Sequence, residues 1–360
     1  MRQRHLFLVL LPLILTSLLL SACAGGMPVT SWPGVTVAGE TAFVSYNQNV
    51  YAVNLSNGSE DWRFPTQPIR SATFFAPPAL DEEGRVAVGS YAKILYGLNA
   101  SGQQSWEFTD ARSSYVAGAA FEEGLVYAPN GDGKLYVLDS SGQVDWIFTS
   151  KYALWATPVI DGDRLYLSSM DHIIYCLDKT SGNLIWESED LSGALVDAPT
   201  LSPDGILYVG TFNSEVVAIS AENGKVLNRF TAGGWVWSSP LLYEGSLFFG
   251  DLNGNLFAID AESFEQAWKI TPETVAKKQI VGRPAVMDGN LYFTSETGNL
   301  FIVNPENGEV LSTQTIGGKL YAGPIIAGDL VLVAPNGIDA VLIALDANGS
   351  QRWSFIPAKK

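Results

Sequence analysis

The segment Leu-Tyr-Val-Leu-Asp-Ser-Ser-Gly-Gln-Val-Asp-Trp, residues 135–146, holds the pattern that decides the fold. A short apolar stretch runs up to Asp139, and Trp146 follows Gly142 at a distance of four residues. An Asp or Asn side chain bonds to the nearby backbone and Gly adopts a positive φ, so the two together are typical of a tight turn. The segment therefore predicts a strand, a turn and a second strand that carries the tryptophan.

The same unit recurs along the whole chain. The Gly-x-x-x-Trp pattern occurs at Gly58/Trp62, Gly102/Trp106, Gly142/Trp146, Gly182/Trp186 and Gly349/Trp353. Three further copies are degenerate, because Gly224 is followed by Asn228, Phe264 precedes Trp268, and Gly308 is followed by Ser312. Successive copies lie 40 to 44 residues apart, a spacing that fits four short strands, which we label A to D in each unit.

Eight such units predict an all-β, eight-bladed β-propeller of four-stranded antiparallel blades. One sheet cannot bury both of its faces alone, so the units must stack on their neighbours. A linear solenoid would need polar end units, but both end units resemble the interior ones. The predicted blades are residues 33–64, 78–108, 119–148, 158–188, 199–230, 240–270, 284–314 and 324–355. The strand D tryptophans are expected to dock neighbouring blades, namely Trp62, Trp106, Trp146, Trp186, Trp268 and Trp353.

The N-terminus predicts export. Residues 1–22 contain two arginines followed by an uncharged run from Leu6 to Leu20, which is the order of a signal peptide. That run has 15 residues, fewer than the ~20 that a membrane-spanning helix needs. The sequence Leu-Ser-Ala-Cys, ending at Cys23, resembles the lipobox of bacterial lipoproteins, which implies that Cys23 is lipidated. We therefore predict a signal peptide over 1–22, a tether over 23–32 and a propeller over 33–360.

The charge of the chain excludes one class of partner. The formal net charge is −16, and it becomes −18 once Arg2 and Arg4 are removed with the signal peptide. Nucleic-acid binding requires clustered lysines and arginines that neutralise phosphates. An acidic protein of this kind is therefore not expected to bind nucleic acid.

The repeat and the lipobox together resemble a known family. The Gly-x-x-x-Trp spacing, the Leu-Tyr-Ala-hydrophobic-Asp strand and the four-strand period resemble PQQ-like repeats across residues 31 to 356. Combined with the lipobox, the chain is similar to the B lipoprotein of the outer-membrane β-barrel assembly machinery. That resemblance implies an eight-bladed periplasmic propeller that binds the central barrel subunit. Repeats of this type specify a fold more strongly than a function.

Catalytic chemistry has few candidate residues. PQQ-dependent dehydrogenases share these blades and hold the quinone beside adjacent cysteines and a calcium ion, but this chain has no adjacent cysteines. His172 is predicted in a turn with no second histidine to share a metal, and Cys176 occupies a strand C position that is small in sister units. The segment from Asp251 to Asn255 is faintly similar to a calcium loop, but a plain turn is favoured. We predict no enzyme activity, no cofactor and no metal site.

The two ends of the blades differ in composition. In a four-stranded meander the B to C turns and D to A connections share one face of the ring, and the A to B and C to D turns share the other. The second face is acidic, as at Glu83 and Asp204. The connections on the first face are aromatic and basic, which favours an interface. The candidate interface residues are Arg70, Phe74, Phe75, Tyr115, Tyr152, Trp155, Trp235, Trp237, Lys277, Lys278 and Tyr321, and the longest connections, 65–77 and 271–283, are the best candidates.

The leading functional hypothesis is a monomeric, lipid-anchored scaffold that binds envelope or outer-membrane proteins. In a double-membraned cell, Ala24 after the lipidated cysteine favours the outer membrane, facing the periplasm; otherwise the outer face of the cytoplasmic membrane is expected. One alternative is an envelope sensor that binds a glycan or small ligand through stacked aromatics. A second alternative is a degenerate PQQ-dependent dehydrogenase.

Overall fold

The computed structural model describes residues 32–67, 69, 72–275 and 278–358. The predicted signal peptide, Cys23, Arg70 and Lys277 lie outside the described residues. All regular structure in the described ranges is β-strand. No helix in these ranges is long and apolar enough to cross a membrane.

The strands form eight sheets, each made of four consecutive antiparallel strands. In the first half of the chain they are β1 (Gly34–Ala38), β2 (Thr41–Tyr46), β3 (Asn49–Asn54) and β4 (Glu60–Phe64); β5 (Ala79–Leu80), β6 (Val86–Gly89), β7 (Leu95–Leu98) and β8 (Gln104–Phe108); β9 (Ala120–Glu122), β10 (Leu125–Pro129), β11 (Lys134–Leu138) and β12 (Val144–Thr149); and β13 (Val159–Asp161), β14 (Arg164–Ser168), β15 (Ile174–Asp178) and β16 (Leu184–Glu187).

The second half repeats the arrangement. Its strands are β17 (Thr200–Leu201), β18 (Ile206–Gly210), β19 (Glu215–Ser220) and β20 (Val226–Thr231); β21 (Leu241–Tyr243), β22 (Ser246–Gly250), β23 (Leu256–Asp260) and β24 (Gln266–Ile270); β25 (Ala285–Met287), β26 (Asn290–Thr294), β27 (Asn299–Val303) and β28 (Val310–Thr315); and β29 (Ile325–Ala327), β30 (Leu330–Val333), β31 (Leu342–Leu345) and β32 (Gln351–Phe355). The predicted fold class, an eight-bladed propeller of four-stranded antiparallel blades, is confirmed.

The core is divided among the junctions between blades. Eight apolar clusters are present, and each combines residues of two sheets that follow one another around the ring. One cluster joins the last sheet to the first, since Val44 and Tyr51 pack with Leu332 and Phe355. The ring is therefore closed by packing of complete sheets, because no sheet contains a strand from another part of the chain.

A β-bulge occurs at the same place in every blade. The register between strands C and D shifts near the end of strand C, for example between Val137 and Leu138 and between Ala258 and Ile259. The strand D residue paired just before the shift is Trp146 in one blade and Trp268 in the other. A bulge increases the local twist of the strand, so it helps to turn this position towards the next blade.

Each of the six strand D tryptophans contacts the turn of the following blade. A Cβ built on the turn glycine would overlap the indole of the preceding blade at Gly58 with Trp353, Gly102 with Trp62, Gly142 with Trp106, Gly182 with Trp146, Gly224 with Trp186 and Gly308 with Trp268. Three indole N–H groups also donate to a carbonyl of that turn: Trp186 to Ala221 at 3.2 Å, Trp268 to Pro305 at 2.8 Å and Trp353 to Leu55 at 2.7 Å. The flat indole therefore packs directly against the backbone of the turn, because the glycine there has no side chain.

One junction reverses this arrangement. The blade that has Asn228 instead of a tryptophan is followed by a turn that has Phe264 instead of a glycine. Phe264 is 7% exposed, belongs to the cluster between the two blades, and its ring lies 6.2 Å from that of Tyr208. It adopts a φ of 60°, a conformation that glycine takes more easily. The aromatic side chain at this junction therefore comes from the turn.

Candidate functional site

The backbone separates two faces of the ring. We call the B to C turns and D to A connections the connection face, and the A to B and C to D turns the turn face. Hydrogen bonds join neighbouring blades on each face. On the connection face, the segment between the fourth and fifth blades bonds to the B to C turns of both, since Leu191 N–H donates to His172 O at 3.0 Å and Phe212 N–H donates to Ala194 O at 3.2 Å. On the turn face, Arg164 of the fourth blade donates to Ala221 O of the fifth at 2.6 Å. Each face is thus a continuous surface that several blades build together.

Three cations of the turn face are engaged with their surroundings. Arg85 lies 2.5 Å from Asp81, and Lys179 lies 3.4 Å from both Glu122 and Glu123 of the preceding blade. Arg164 donates to the carbonyl of Ala221 at 2.6 Å. The remaining charges of this surface are predominantly carboxylates, so it presents a negative field that repels anionic surfaces.

Five aromatic side chains form a connected cluster on the connection face, which we call the aromatic cluster. The rings of Trp235 and Phe212 stack with centroids 5.0 Å apart, and Phe212 lies 5.0 Å from Trp237. Trp32 joins the series, 6.0 Å from Trp237 and 5.4 Å from Tyr321. Trp235 is 51% exposed. A large aromatic with half of its surface in water is the kind of residue that anchors protein interfaces.

Trp32 spans the centre of the ring. It precedes the first blade, whereas Trp237 precedes the sixth and Tyr321 the eighth. Two blades separate the sixth from the first, so Trp32 reaches Trp237 across the central opening. The chain therefore enters the propeller at the mouth of the channel, on the connection face.

Three of the predicted interface residues are interior. Phe74, Phe75 and Tyr115 are 0%, 4% and 1% exposed, so the expectation that they are available to a partner is wrong. Phe74 pairs through its backbone with Ser90 and packs against Tyr96, while Phe75 packs edge-on against Tyr91. These aromatics bury apolar surface within the D to A connection.

The other predicted residues differ in exposure. Tyr152 is 66% exposed, whereas Trp155, Trp237, Lys278 and Tyr321 are partly buried. Tyr152 stands apart from the aromatic cluster, since no ring contact joins it to another described aromatic.

The long connections also pack more than their length suggested. In 271–283, Ile280 and Val281 are buried, and Glu273 accepts hydrogen bonds from Thr297 and Asn299, each at 2.5 Å. In 65–77, the buried Phe74 and Phe75 play the corresponding part. These two segments therefore also have a packing role.

The connection face carries both signs of charge, and the expectation of a basic face is corrected. Lys319 lies 2.6 Å from Glu296, and this hydrogen bond raises the pKa of Lys319. Arg229 lies 3.0 Å from Glu189 and 2.9 Å from Glu215. Exposed ion pairs of this kind contribute little to stability, and their opposite charges cancel. Of the basic residues predicted at this interface, Arg70 and Lys277 lie outside the described residues, and Lys278 donates a hydrogen bond to the Glu273 carbonyl at 2.9 Å.

Carboxylates of the B to C turns hold the preceding connections in place. Asp132 accepts hydrogen bonds from the backbone N–H of Arg112 and from the Tyr136 hydroxyl, both at 2.8 Å. Asp171 repeats this one blade later, with the backbone N–H of Lys151 at 3.1 Å and the Tyr175 hydroxyl at 2.8 Å. A binding surface built on connections that are tied down in this way is preorganised.

Two charged residues at the inner end of the connections were missed by the sequence reasoning. Asp197 and Arg283 precede strand A of the fifth and seventh blades, and each influences the pKa of the other. Burial is the main cause for both, since it raises the pKa of Asp197 and lowers the pKa of Arg283. Alignment of the residues before each strand A proline would have identified them, because sister units have small residues there.

Three residues were considered for catalysis or metal binding in the sequence, namely Cys176, His172 and Asp251. Cys176 is buried and unpaired, and burial raises the pKa of its thiol to about 11. His172 lies 3.0 Å from Asp190 at an exposed position. Asp251 accepts hydrogen bonds within its own turn, from the backbone N–H groups of Asn253 and Asn255 at 2.9 Å each. No group of three or more potential metal ligands is found among the described residues.

Comparison with known proteins places these features in a family. The model of the family described as "Outer membrane protein assembly factor BamB" matches residues 24–172, 93–197, 170–279 and 273–358. A protein of that name from Legionella pneumophila is 27% identical over 190 residues, which cover 50% of this chain and 48% of the relative. One from Bordetella pertussis is 27% identical over 219 residues, covering 58% and 56%. These matches span about half of each curated relative.

A solved structure shares the fold. The crystal structure of BamB from Moraxella catarrhalis superimposes with a TM-score of 0.72 at 15% sequence identity, covering 84% of this chain and 92% of that one. At this identity the likeness is one of fold.

Proposed function

Because the chain belongs to the family of outer membrane protein assembly factor BamB, we propose that it is a scaffold of outer-membrane protein assembly. In this proposal it is exported, lipidated at Cys23 and held to the periplasmic side of the outer membrane. It binds a membrane-embedded assembly protein through the connection face and catalyses no reaction of its own.

The aromatic cluster is the observation that carries this proposal. Trp235 and its stacked partner Phe212 offer an apolar anchor on a face where Arg229 is paired with Glu189 and Glu215. Interfaces concentrate their binding energy in such aromatic anchors, surrounded by polar contacts that exclude water. The connection that carries Trp235 is held by backbone hydrogen bonds, since Leu252 N–H donates to Trp235 O at 2.9 Å and Val236 N–H donates to Thr211 O at 3.2 Å. Such preorganisation lowers the ordering entropy that opposes binding.

The course of the chain supports the choice of face. The covalent connection from Cys23 to the propeller passes through Trp32, at the mouth of the channel on the connection face. The nine residues after Cys23 extend at most roughly 32 Å. A lipid on Cys23 therefore keeps the propeller close to the membrane, within reach of a membrane-embedded partner.

Site-specific crosslinking tests the proposed face. A photoreactive amino acid at position 152 or 235 replaces a side chain that is 66% or 51% exposed, and ultraviolet irradiation of intact cells should link it to an outer-membrane assembly protein identified by mass spectrometry. Matched controls at Glu83 and Asp204 lie on the turn face and are exposed. Crosslinks to that partner from the control positions alone would contradict the proposal.

Lipidation is tested separately. Cells fed a clickable palmitate analogue should label the wild-type protein, and the Cys23→Ser variant should lose the label and move from the membrane to the soluble periplasmic fraction. A variant that stays membrane-bound without label would show that another feature anchors the protein.

A further inference from the structure

The second residue before each strand A forms a ring at the mouth of the central channel, which we call the collar. Neighbouring members touch: a Cβ on Gly118 would lie 3.0 Å from Thr157 Oγ1 and 3.1 Å from Pro77 O, and a Cβ on Gly323 would overlap the backbone of Arg283. Six blades supply a small or compact residue, namely Pro77, Gly118, Thr157, Ala198, Ser239 and Gly323. The other two supply Trp32 and Arg283.

Arg283 is a cation without a bonding partner in the part of the chain that the structure describes. No ion pair joins its guanidinium to any described carboxylate, and the one charge that perturbs it is Asp197. Gly323 packs against the backbone of Arg283, and Asp197 accepts a hydrogen bond from Ser239 of the intervening blade, so both residues lie in or beside the collar. Arg283 is partly buried there.

Both carboxyl oxygens of Asp197 accept hydrogen bonds from backbone N–H groups. Its Oδ2 accepts a hydrogen bond from Ser239 N–H at 2.8 Å, and its Oδ1 accepts one from Ala198 N–H at 2.9 Å. The carboxylate thus holds two collar segments together instead of binding the arginine. It nevertheless leaves a negative charge near Arg283.

The partly buried guanidinium of Arg283 favours an anion as its ligand. It has five N–H donors in a planar fork, and burial lowers its pKa because water solvates it less completely. A carboxylate matches the fork with two parallel hydrogen bonds. A phosphate dianion fits the same fork but carries more charge, so the nearby Asp197 and the net charge of −16 oppose it more strongly.

We propose that the collar is a binding site for a carboxylate group, with Arg283 as its recognition residue. The ring of Trp32 contacts those of Trp237 and Tyr321 beside the collar, and we expect an apolar group attached to that carboxylate to pack on these rings. The chemistry fits the C-terminus of an extended peptide and also a free small carboxylate. This site goes beyond the scaffold function and does not depend on it.

Binding of a labelled peptide tests the site. The probe is dansyl-Gly-Ser-Gly-Ala-Leu, whose label carries no carboxylate, with a free C-terminal carboxylate, and its C-terminal amide is the matched control; fluorescence anisotropy is measured with the purified propeller. We expect the acid to bind and the amide to bind at least about tenfold more weakly, because charge-assisted hydrogen bonds are lost. Equal binding of acid and amide would overturn the proposal.

Variants assign the binding to Arg283. Arg283→Gln should weaken binding of the acid about tenfold or more, while Arg283→Lys, which keeps the charge but not the fork, should weaken it less. Arg112→Gln is the control, since Arg112 is an exposed arginine of the same face. If Arg283→Gln does not fold, the lysine variant and the amide peptide still decide. Wild-type affinity in a folded Arg283→Gln protein would overturn the assignment.

Competition by acetate separates the two sources of the carboxylate. Displacement of the peptide by acetate with the affinity of the peptide itself indicates a small free carboxylate. Displacement only by peptides with a free C-terminus indicates a chain end.

Discussion

Gly142 and Trp106 show what a single residue contributes at a blade junction. A Cβ on Gly142 would lie 2.9 Å from two atoms of the indole of the preceding blade, and the glycine has a φ of 82°. Gly124, in the same blade, has nearly the same φ of 81° with no atom within 4 Å of its Cβ position. The two glycines therefore separate backbone strain from loss of space.

Gly142→Ala should destabilise the protein more than Gly124→Ala. Both substitutions cost about 1–2 kcal/mol because alanine disfavours a left-handed backbone. Gly142→Ala adds about 1–3 kcal/mol because Trp106 must move. The free energies of unfolding are measured by urea denaturation monitored by circular dichroism. Equal losses would show that the indole shifts freely and does not dock tightly.

Cys176 should be unreactive while the protein is folded. Its thiol is buried, and its pKa is raised to about 11 by burial, so the thiolate is scarce at pH 8. We expect iodoacetamide at pH 8 to leave Cys176 unmodified in a Cys23→Ser protein, and to modify it fully in 8 M urea; mass spectrometry reads the result. The same shift predicts that stability is retained below the thiol's ordinary pKa and declines as pH rises towards 11. Rapid native modification would contradict the burial.

The sequence predicts turn glycines and blade tryptophans more reliably than it predicts the surroundings of aromatic side chains in the connections. Turn residues and the tryptophan spacing are local signals, so the positions of Gly142 and Trp146 could be predicted. Whether an aromatic in an irregular connection points inwards depends on the fold around it, so Phe74 and Tyr115 were placed on the surface in error. Arg283 was missed because a single arginine carries no signal until the eight collar positions are aligned.

At the scale of elements, the junction containing Phe264 tests whether strand D and the following turn form one unit. Restoring the arrangement of the other junctions requires two changes, Asn228→Trp and Phe264→Gly. Alone, Phe264→Gly should cost about 3–5 kcal/mol, because it empties a buried site. The single variant Asn228→Trp should also destabilise the protein, because Phe264 occupies the space that the new indole needs.

The double variant should be more stable than the sum of the two single losses predicts. Coupled neighbours show interaction energies of about 0.5–3 kcal/mol, and here the sign should be favourable. The free energies of unfolding of the wild type, the two single variants and the double variant are measured by urea denaturation, and together they give the interaction energy. Additive losses would mean that strand D and the next turn do not compete for one space.

The strands could largely be predicted from the periodicity of the sequence, but the β-bulge between strands C and D could not. Alternation and turn residues predict the order of strands, because each blade is a local meander with short turns. The C to D bulge in every blade was not predicted, since its extra residue carries no distinctive composition. Its regularity becomes visible only from the pairing, as at Ala52/Val53 and Ala344/Leu345.

For the whole molecule, ring closure depends on the contact of the last blade with the first. Trp353 donates to Leu55 O and packs on Gly58, like the indoles at internal junctions. Trp353→Ala and Trp106→Ala should therefore each cost about 3–5 kcal/mol, measured by urea denaturation. A much smaller loss for Trp353→Ala would show that the ring opens readily at this junction. Trp235→Ala, at an exposed position, serves as the control and should change stability by about 0.5 kcal/mol or less.

Trp32 has a consequence for how an anchored propeller can move. The chain from Cys23 joins the ring at its axis, so turning about that axis neither stretches nor shortens the tether. Under the proposed lipidation of Cys23, all eight blades are therefore equivalent with respect to the anchor, and rotation of the ring about its axis leaves each of them equally able to meet a membrane-embedded partner.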